Sequence, residues 1–299
     1  MRPSRQVRSL MVAVRAFQAS LPTTLAYDNV PCGSTKEKMR RRITITLAIL
    51  IALQARADDF DGKRVAAALA RKDTPPAPRL PDGHPDLGND SGSWDPPGIG
   101  DMAGTGGGFA GTAQPDQKID VPFLPWAKAA FQQRNATLTK DDPEGFCLPP
   151  GIPRMYATSF PFQIYQTPNR IVFVFEGGAH MWRVVYMDGR KHTPPDKLNP
   201  TYLGEAIGHW EGDTLVVDTT GFLPGYLNTP VANSDQLHVV ERFTRVNQLI
   251  LHYQATIEDP GAYSKPWSAS WNILFHPGLE PLEYICQENN ADLKHLVGK

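Results

Sequence analysis

Beyond Cys147 the chain consists of short segments in which β-branched and aromatic residues alternate with polar ones, and this two-residue period constrains the fold more than any other feature. Phe162 to Gln166, Arg170 to Glu176, His180 to Met187, Leu203 to Trp210, Thr214 to Thr219, His238 to Val246, Leu249 to Glu258, Trp267 to Phe275 and Leu282 to Glu288 predict strands. Turn residues separate them: Pro168-Asn169, Gly177-Gly178, Asp188-Gly189, Glu211-Gly212-Asp213, Asn247-Gln248 and His276-Pro277-Gly278. Short connections make an antiparallel meander, and a meander this long leaves two exposed edges unless it closes on itself. The expected fold is mainly β, a single closed barrel, with an open sandwich as the alternative.

Residues 125–299 carry this barrel and open with a short helix from Pro125 to Arg134 whose Pro-Trp start leads into Ala127, Ala129 and Ala130. Residues 58–124 predict an extended arm rich in proline and glycine, with a helical patch at Gly62 to Lys72. The cluster Gly104-Thr105-Gly106-Gly107-Gly108 has no strand before it and no Lys-Ser/Thr or helix after it, so it does not predict a phosphate loop, and no cofactor is expected. Gly92-Ser93-Trp94 is similar to the Gly-x-Trp signature of lipocalins, in which the tryptophan plugs the barrel floor, so the expected barrel is lipocalin-like.

Residues 39–57 read as a secretory signal peptide. Arg40 to Arg42 precede an apolar run from Ile43 to Leu53, and Ala55-Arg56-Ala57 supplies small residues for cleavage. That run is about half the ~20 residues a membrane-spanning helix needs, so no stable membrane insertion of the mature chain is expected. Residues 1–38 are read as an upstream mis-start or a leader. The mature chain, 58–299, is expected in the periplasm or secreted as one unit. It keeps Cys147 and Cys286, predicted to pair in a disulfide in that oxidising space, the alternative being two buried free thiols. With 30 basic against 31 acidic residues, the chain has no basic field suited to nucleic acid.

Several segments are specific as a set: Cys147-Leu148-Pro149-Pro150-Gly151 with Pro153-Arg154-Met155, Gly208-His209-Trp210-Glu211-Gly212-Asp213-Thr214-Leu215-Val216-Val217-Asp218-Thr219, His238-Val239-Val240-Glu241-Arg242, and Asp259-Pro260-Gly261-Ala262-Tyr263 with Lys265-Pro266-Trp267. With them the chain resembles a family of exported bacterial proteins of about this size. The resemblance implies export and a single-domain architecture, and carries no reaction with it.

Candidate site residues come from strand alternation. On the segment from His180, one face carries His180, Trp182, Val184 and Tyr186, and the other Met181, Arg183, Val185 and Met187. Mixed faces suit a partly polar lumen, and Trp182, Arg183, Tyr186, Tyr253, Trp267 and Trp271 are the expected binding residues for a small apolar or aromatic molecule held there. An alternative is a cofactor-free lyase, isomerase or hydrolase using His180 or His209 with Glu205, Glu241 or Asp218 for proton transfer. Another is a structural envelope protein with a filled interior. These ionisable residues equally suit cross-strand ion pairs. No His-x-His or His-x-x-x-His spacing favours a metal, and Ser234, His238 and Asp218 lack the Gly-x-Ser-x-Gly elbow of a hydrolase.

Overall fold

The computed structural model describes residues 65–99, 102, 119–137, 140–228, 230–288 and 290, without the side chains of Ala179 and His180. Residues 39–57, expected to be a signal peptide, the residues before them, the glycine cluster 104–108 and the His180 side chain lie outside that description. All described residues belong to one unit, 52–299.

Strand β1 (Gly92–Asp95) precedes helix α1 (Pro125–Ala136). Strands β2 (Phe162–Thr167) and β3 (Arg170–Phe175) form a hairpin, the short helix α2 (Gly177–His180) follows, and β4 (Trp182–Tyr186) returns. After a long connection come β5 (Glu205–Glu211) and β6 (Thr214–Thr220), a small separate hairpin of β7 (Gly225–Asn228) and β8 (Val231–Asn233), and finally β9 (His238–Arg245), β10 (Ile250–Glu258) and β11 (Trp267–Pro277).

The strands close into a barrel of nine in the order β1-β11-β10-β9-β6-β5-β4-β3-β2. Closure rests on one residue pair, Trp94 against Phe162. The expected mainly β barrel is therefore present, with one departure from a pure meander. A ring of nine strands cannot alternate in direction all the way round, because alternation needs an even number. One neighbour pair must be parallel, and it is β4 with β5, joined through Val185↔Ala206 and Tyr186↔Ile207. Parallel neighbours need a crossover, which explains why residues 187–204 leave the wall before β5 begins.

Three segments differ from the sequence reading. Gly92–Asp95, within the expected arm, is a barrel strand. Leu282 to Glu288 is not a strand, because β11 already has β10 on one side and β1 on the other. The segment from His180 divides into the end of α2 and β4, the Gly177-Gly178 pair forming a helical turn.

Alternation fixes the core. On β9, Val239, Glu241, Phe243 and Arg245 are buried while His238, Val240, Arg242 and Thr244 are not. The same period turns Tyr253 of β10 and Trp267 and Trp271 of β11 inward. Tyr156, from a 3-10 turn at Arg154–Tyr156, enters the interior and touches Phe162, Phe173, Phe175, Phe243 and Tyr253, with ring centroids 5.0 to 5.4 Å apart. Trp94 is wholly buried against Phe275, with the Arg245 guanidinium 5.2 Å from its ring. Outside the wall, Cys147 and Cys286 form a disulfide. No helix among the described residues is long and apolar enough to cross a membrane.

Candidate functional site at the parallel seam

At the seam only two register pairs join β4 to β5, and the wall opens above them. The opening is a cleft of about 600 Å³, within the range of small-ligand pockets. One wall is formed by residues 181–184 with Tyr186, the other by residues 201–206, and Thr193, Lys197, Leu198 and Asn199 of the crossover roof it. Trp182 stands on the rim with 66% of its surface exposed, and Tyr202 with 37%. Arg190 stacks on Tyr186 at 3.7 Å while its guanidinium donates to both carboxylate oxygens of Asp188.

The crossover is tied down at both ends of the cleft. Glu205 opens β5 facing outward and accepts hydrogen bonds from the Thr193 N–H at 2.7 Å and the Thr193 hydroxyl at 2.6 Å, with His192 Nδ1 at 3.3 Å. Burial pushes the Glu205 carboxyl up, but the Thr193 and His192 hydrogen bonds outweigh it and hold the group below its ordinary value. On β6, Asp218 Oδ1 meets two imidazoles, His192 Nε2 at 2.8 Å and His238 Nε2 at 2.9 Å. His192 thus lies between two carboxylates, and only its doubly protonated ring donates to both at once. The His238 hydrogen bond, more than burial or His192, sets Asp218, whose carboxyl is held low. In return the Asp218 hydrogen bond raises His238, against burial. At the other end Thr201 N–H donates to Gly221 O and Leu223 N–H to Thr201 O, both at 2.9 Å. Gly204 makes the return possible: its φ is +66°, and an added Cβ would lie 2.7 Å from Thr220 O.

Behind the seam lies a buried polar network. Arg183 points into the barrel, 2% exposed, where it pairs with Glu241 at 0% and donates to Tyr156 Oη at 2.9 Å and Thr219 Oγ1 at 2.7 Å. Tyr253 Oη donates to the other Glu241 oxygen at 2.9 Å. Burial would lower the Arg183 pKa, yet Glu241 and then Tyr156 raise it overall. Burial drives the Tyr156 and Tyr253 hydroxyls upward, so both stay protonated, Tyr156 accepting from Arg183 and Tyr253 donating to Glu241.

The sequence candidates thus separate into four places. Trp182, Tyr186 and Glu205 meet at the cleft, and Asp218 joins them through His192. Arg183, Glu241, Tyr253, Trp267 and Trp271 face inward, and among them Arg183, Glu241 and Tyr253 form the buried network, while Tyr253 and Trp271 pack ring against ring at 4.8 Å. Trp182 and Tyr186 belong to the outer face, contrary to the lumen position expected for them. His209 sits elsewhere on the outer face, 3.2 Å from Glu211, lining a second cleft of about 590 Å³ where His84 stacks on Trp210. Ser234 hydrogen-bonds Asp259, not His238, so the three residues of a hydrolase do not meet. His192 was missed because it lies in an aperiodic loop, and its only sequence signal was a histidine between basic and turn-forming residues. Among the described residues, no group of three or more His, Cys, Asp or Glu is placed to hold a metal ion.

No protein-family model, curated protein or solved structure matches the chain.

Proposed function

We propose that the protein is an exported barrel protein that binds a small ligand with an apolar or aromatic body in the seam cleft, on the outer wall of the barrel. The observation that carries this reading is the open cleft with Trp182 uncovered on its rim, since large exposed aromatic groups beside a concavity are characteristic of ligand sites. The interior is a poorer host, being occupied by the Tyr156 ring cluster and the Arg183–Glu241 network. Export is supported by the signal-like segment 39–57 and by the disulfide, a bond that persists in oxidising compartments.

Proton transfer by Glu205 fits the geometry less well. Both its oxygens are engaged by the crossover and its carboxyl is held below its ordinary value, so it serves as an anchor, ionised near neutrality and poorly matched to general acid or base catalysis.

Two measurements test the binding reading. Native mass spectrometry of protein taken from the periplasm looks for a co-purified small molecule, and a panel of small aromatic compounds such as 2-naphthol is titrated while tryptophan emission is followed. Binding is expected to weaken at least tenfold in Trp182→Ala. A clean mass together with no binding of any small probe with an apolar or aromatic body, amide-bearing ones included, or binding indifferent to Trp182, removes the reading.

A further inference from the structure

We infer that the ligand of the seam cleft is a short extended peptide, held by main-chain pairing along the open edge of β4; the inference rests on the cleft reading above and narrows it to one chemical class. Two hydrogen bonds fix the phase of β4. Phe175 N–H donates to Met181 O, and Met187 N–H donates to Asn169 O, each at 2.9 Å. In an antiparallel ladder bonded and non-bonded pairs alternate, and the register places Phe173 opposite Arg183 and Ile171 opposite Val185. The main-chain groups of Met181, Arg183, Val185 and Met187 therefore turn toward β3. Those of Trp182, Val184 and Tyr186 turn toward the seam.

Strand β5 pairs no farther up than Val185. The Trp182 N–H and C=O and the Val184 N–H consequently face the cleft, and among the described residues no loop backbone hydrogen bond reaches them. Arg183 supports this independently. Its side chain points inward and is 2% exposed, yet the residue lines the cleft, so the wall there is main chain.

A strand edge presenting donor, acceptor and donor at alternate residues is complementary to another extended amide backbone. An aromatic compound without amides satisfies none of those groups. On the outer face the edge is flanked by the Trp182 and Val184 side chains, so the peptide places apolar or aromatic side chains beside them at every second position. Lys197 and Glu205, of opposite charge, both line the cleft and favour neither sign.

The test uses the purified, oxidised protein with the blocked peptide acetyl-Val-Thr-Phe-Thr-Val-amide and its singly N-methylated forms, measured by calorimetry. N-methylation is expected to weaken binding at least tenfold at alternate residues and to leave the residues between nearly unaffected. Val184→Pro, which removes the N–H directed into the cleft, is expected to retain the fold by circular dichroism and to lose peptide binding by a similar factor, whereas Val184→Ala, which keeps the N–H, is expected to lose less. Equal binding of all N-methylated forms overturns the inference. So does 2-naphthol binding at Trp182 without any peptide binding, in which case the cleft reading stands alone. If neither probe binds, both readings fall. Self-association of the protein that Val184→Pro abolishes also overturns it, because the edge would then be occupied by a second copy.

Discussion

Arg183 and Glu241 show how a single pair can organise a barrel interior. Two opposite charges buried this deeply cost several kcal/mol each to desolvate, and their attraction offsets this only while every partner is in place. Glu241→Gln or Arg183→Met is expected to lower unfolding stability by about 3–5 kcal/mol, read as a shift of the urea midpoint at unchanged m. Glu211→Gln, which breaks the exposed pair with Arg242, is expected to leave the midpoint where it is. His238 supplies a pH-dependent counterpart. Its pKa is raised in the folded state, so the stability it contributes is complete below the ordinary imidazole value of about 6.5 and is lost as pH climbs through the raised value. Asp218, held low, contributes down to about pH 4 and stops contributing as acid protonates it. Thermal midpoints taken at about pH 6 and pH 8 are expected to fall more in the wild type than in His238→Asn. An equal fall in both would refute the assignment.

Elements differed in how clearly their residues announced them. The β5–β6 hairpin was plain, because Glu211-Gly212-Asp213 marks the turn and Thr214 to Thr219 alternates cleanly, and the start of α1 was marked by Pro125-Trp126. The β7–β8 hairpin escaped notice because strands of four and three residues carry too little period to detect. On β4, residues of both faces, Trp182, Arg183 and Tyr186, are expected in the lumen from sequence, and only Arg183 turns inward. What turns Arg183 inward is Glu241, 58 positions along the chain, and local alternation carries no trace of that partner. The crossover that roofs the cleft was equally invisible, since the need for a parallel joint emerges only once β1 is counted. Gly204 bears on this element directly. Gly204→Ala forces a left-handed backbone costing roughly 1–2 kcal/mol and adds a clash with Thr220 O, whereas Gly212→Ala has only the backbone cost, because nothing lies near its Cβ. The first is expected to melt lower than the second and to lose ligand affinity with it, measured by calorimetry on both variants.

Across the whole molecule, the disulfide links the approach to the barrel with the segment that leaves it. Cys147 and Cys286 are 139 residues apart, and in the chain-entropy model a loop of that length stabilises the fold by about 5 kcal/mol. The segment after β11 is also held by noncovalent contacts: the Ser93 hydroxyl donates to Leu279 O at 2.6 Å, Leu282 N–H donates to Glu176 at 2.6 Å, Asn290 donates to Gly145 O at 3.3 Å, and Tyr284 packs on Phe160 with ring centroids 5.2 Å apart. Reduction, or replacement of both cysteines by serine, is expected to lower the thermal midpoint markedly and to speed proteolysis first within residues 278–288. An unchanged midpoint would assign the bond a merely local role. The odd strand count has a wider reach. Direction around a closed ring is a matter of parity, and no point substitution alters parity. Side chains bordering the mismatch are free to drift and with them the molecules admitted, while the gap itself persists for as long as the ring keeps nine members.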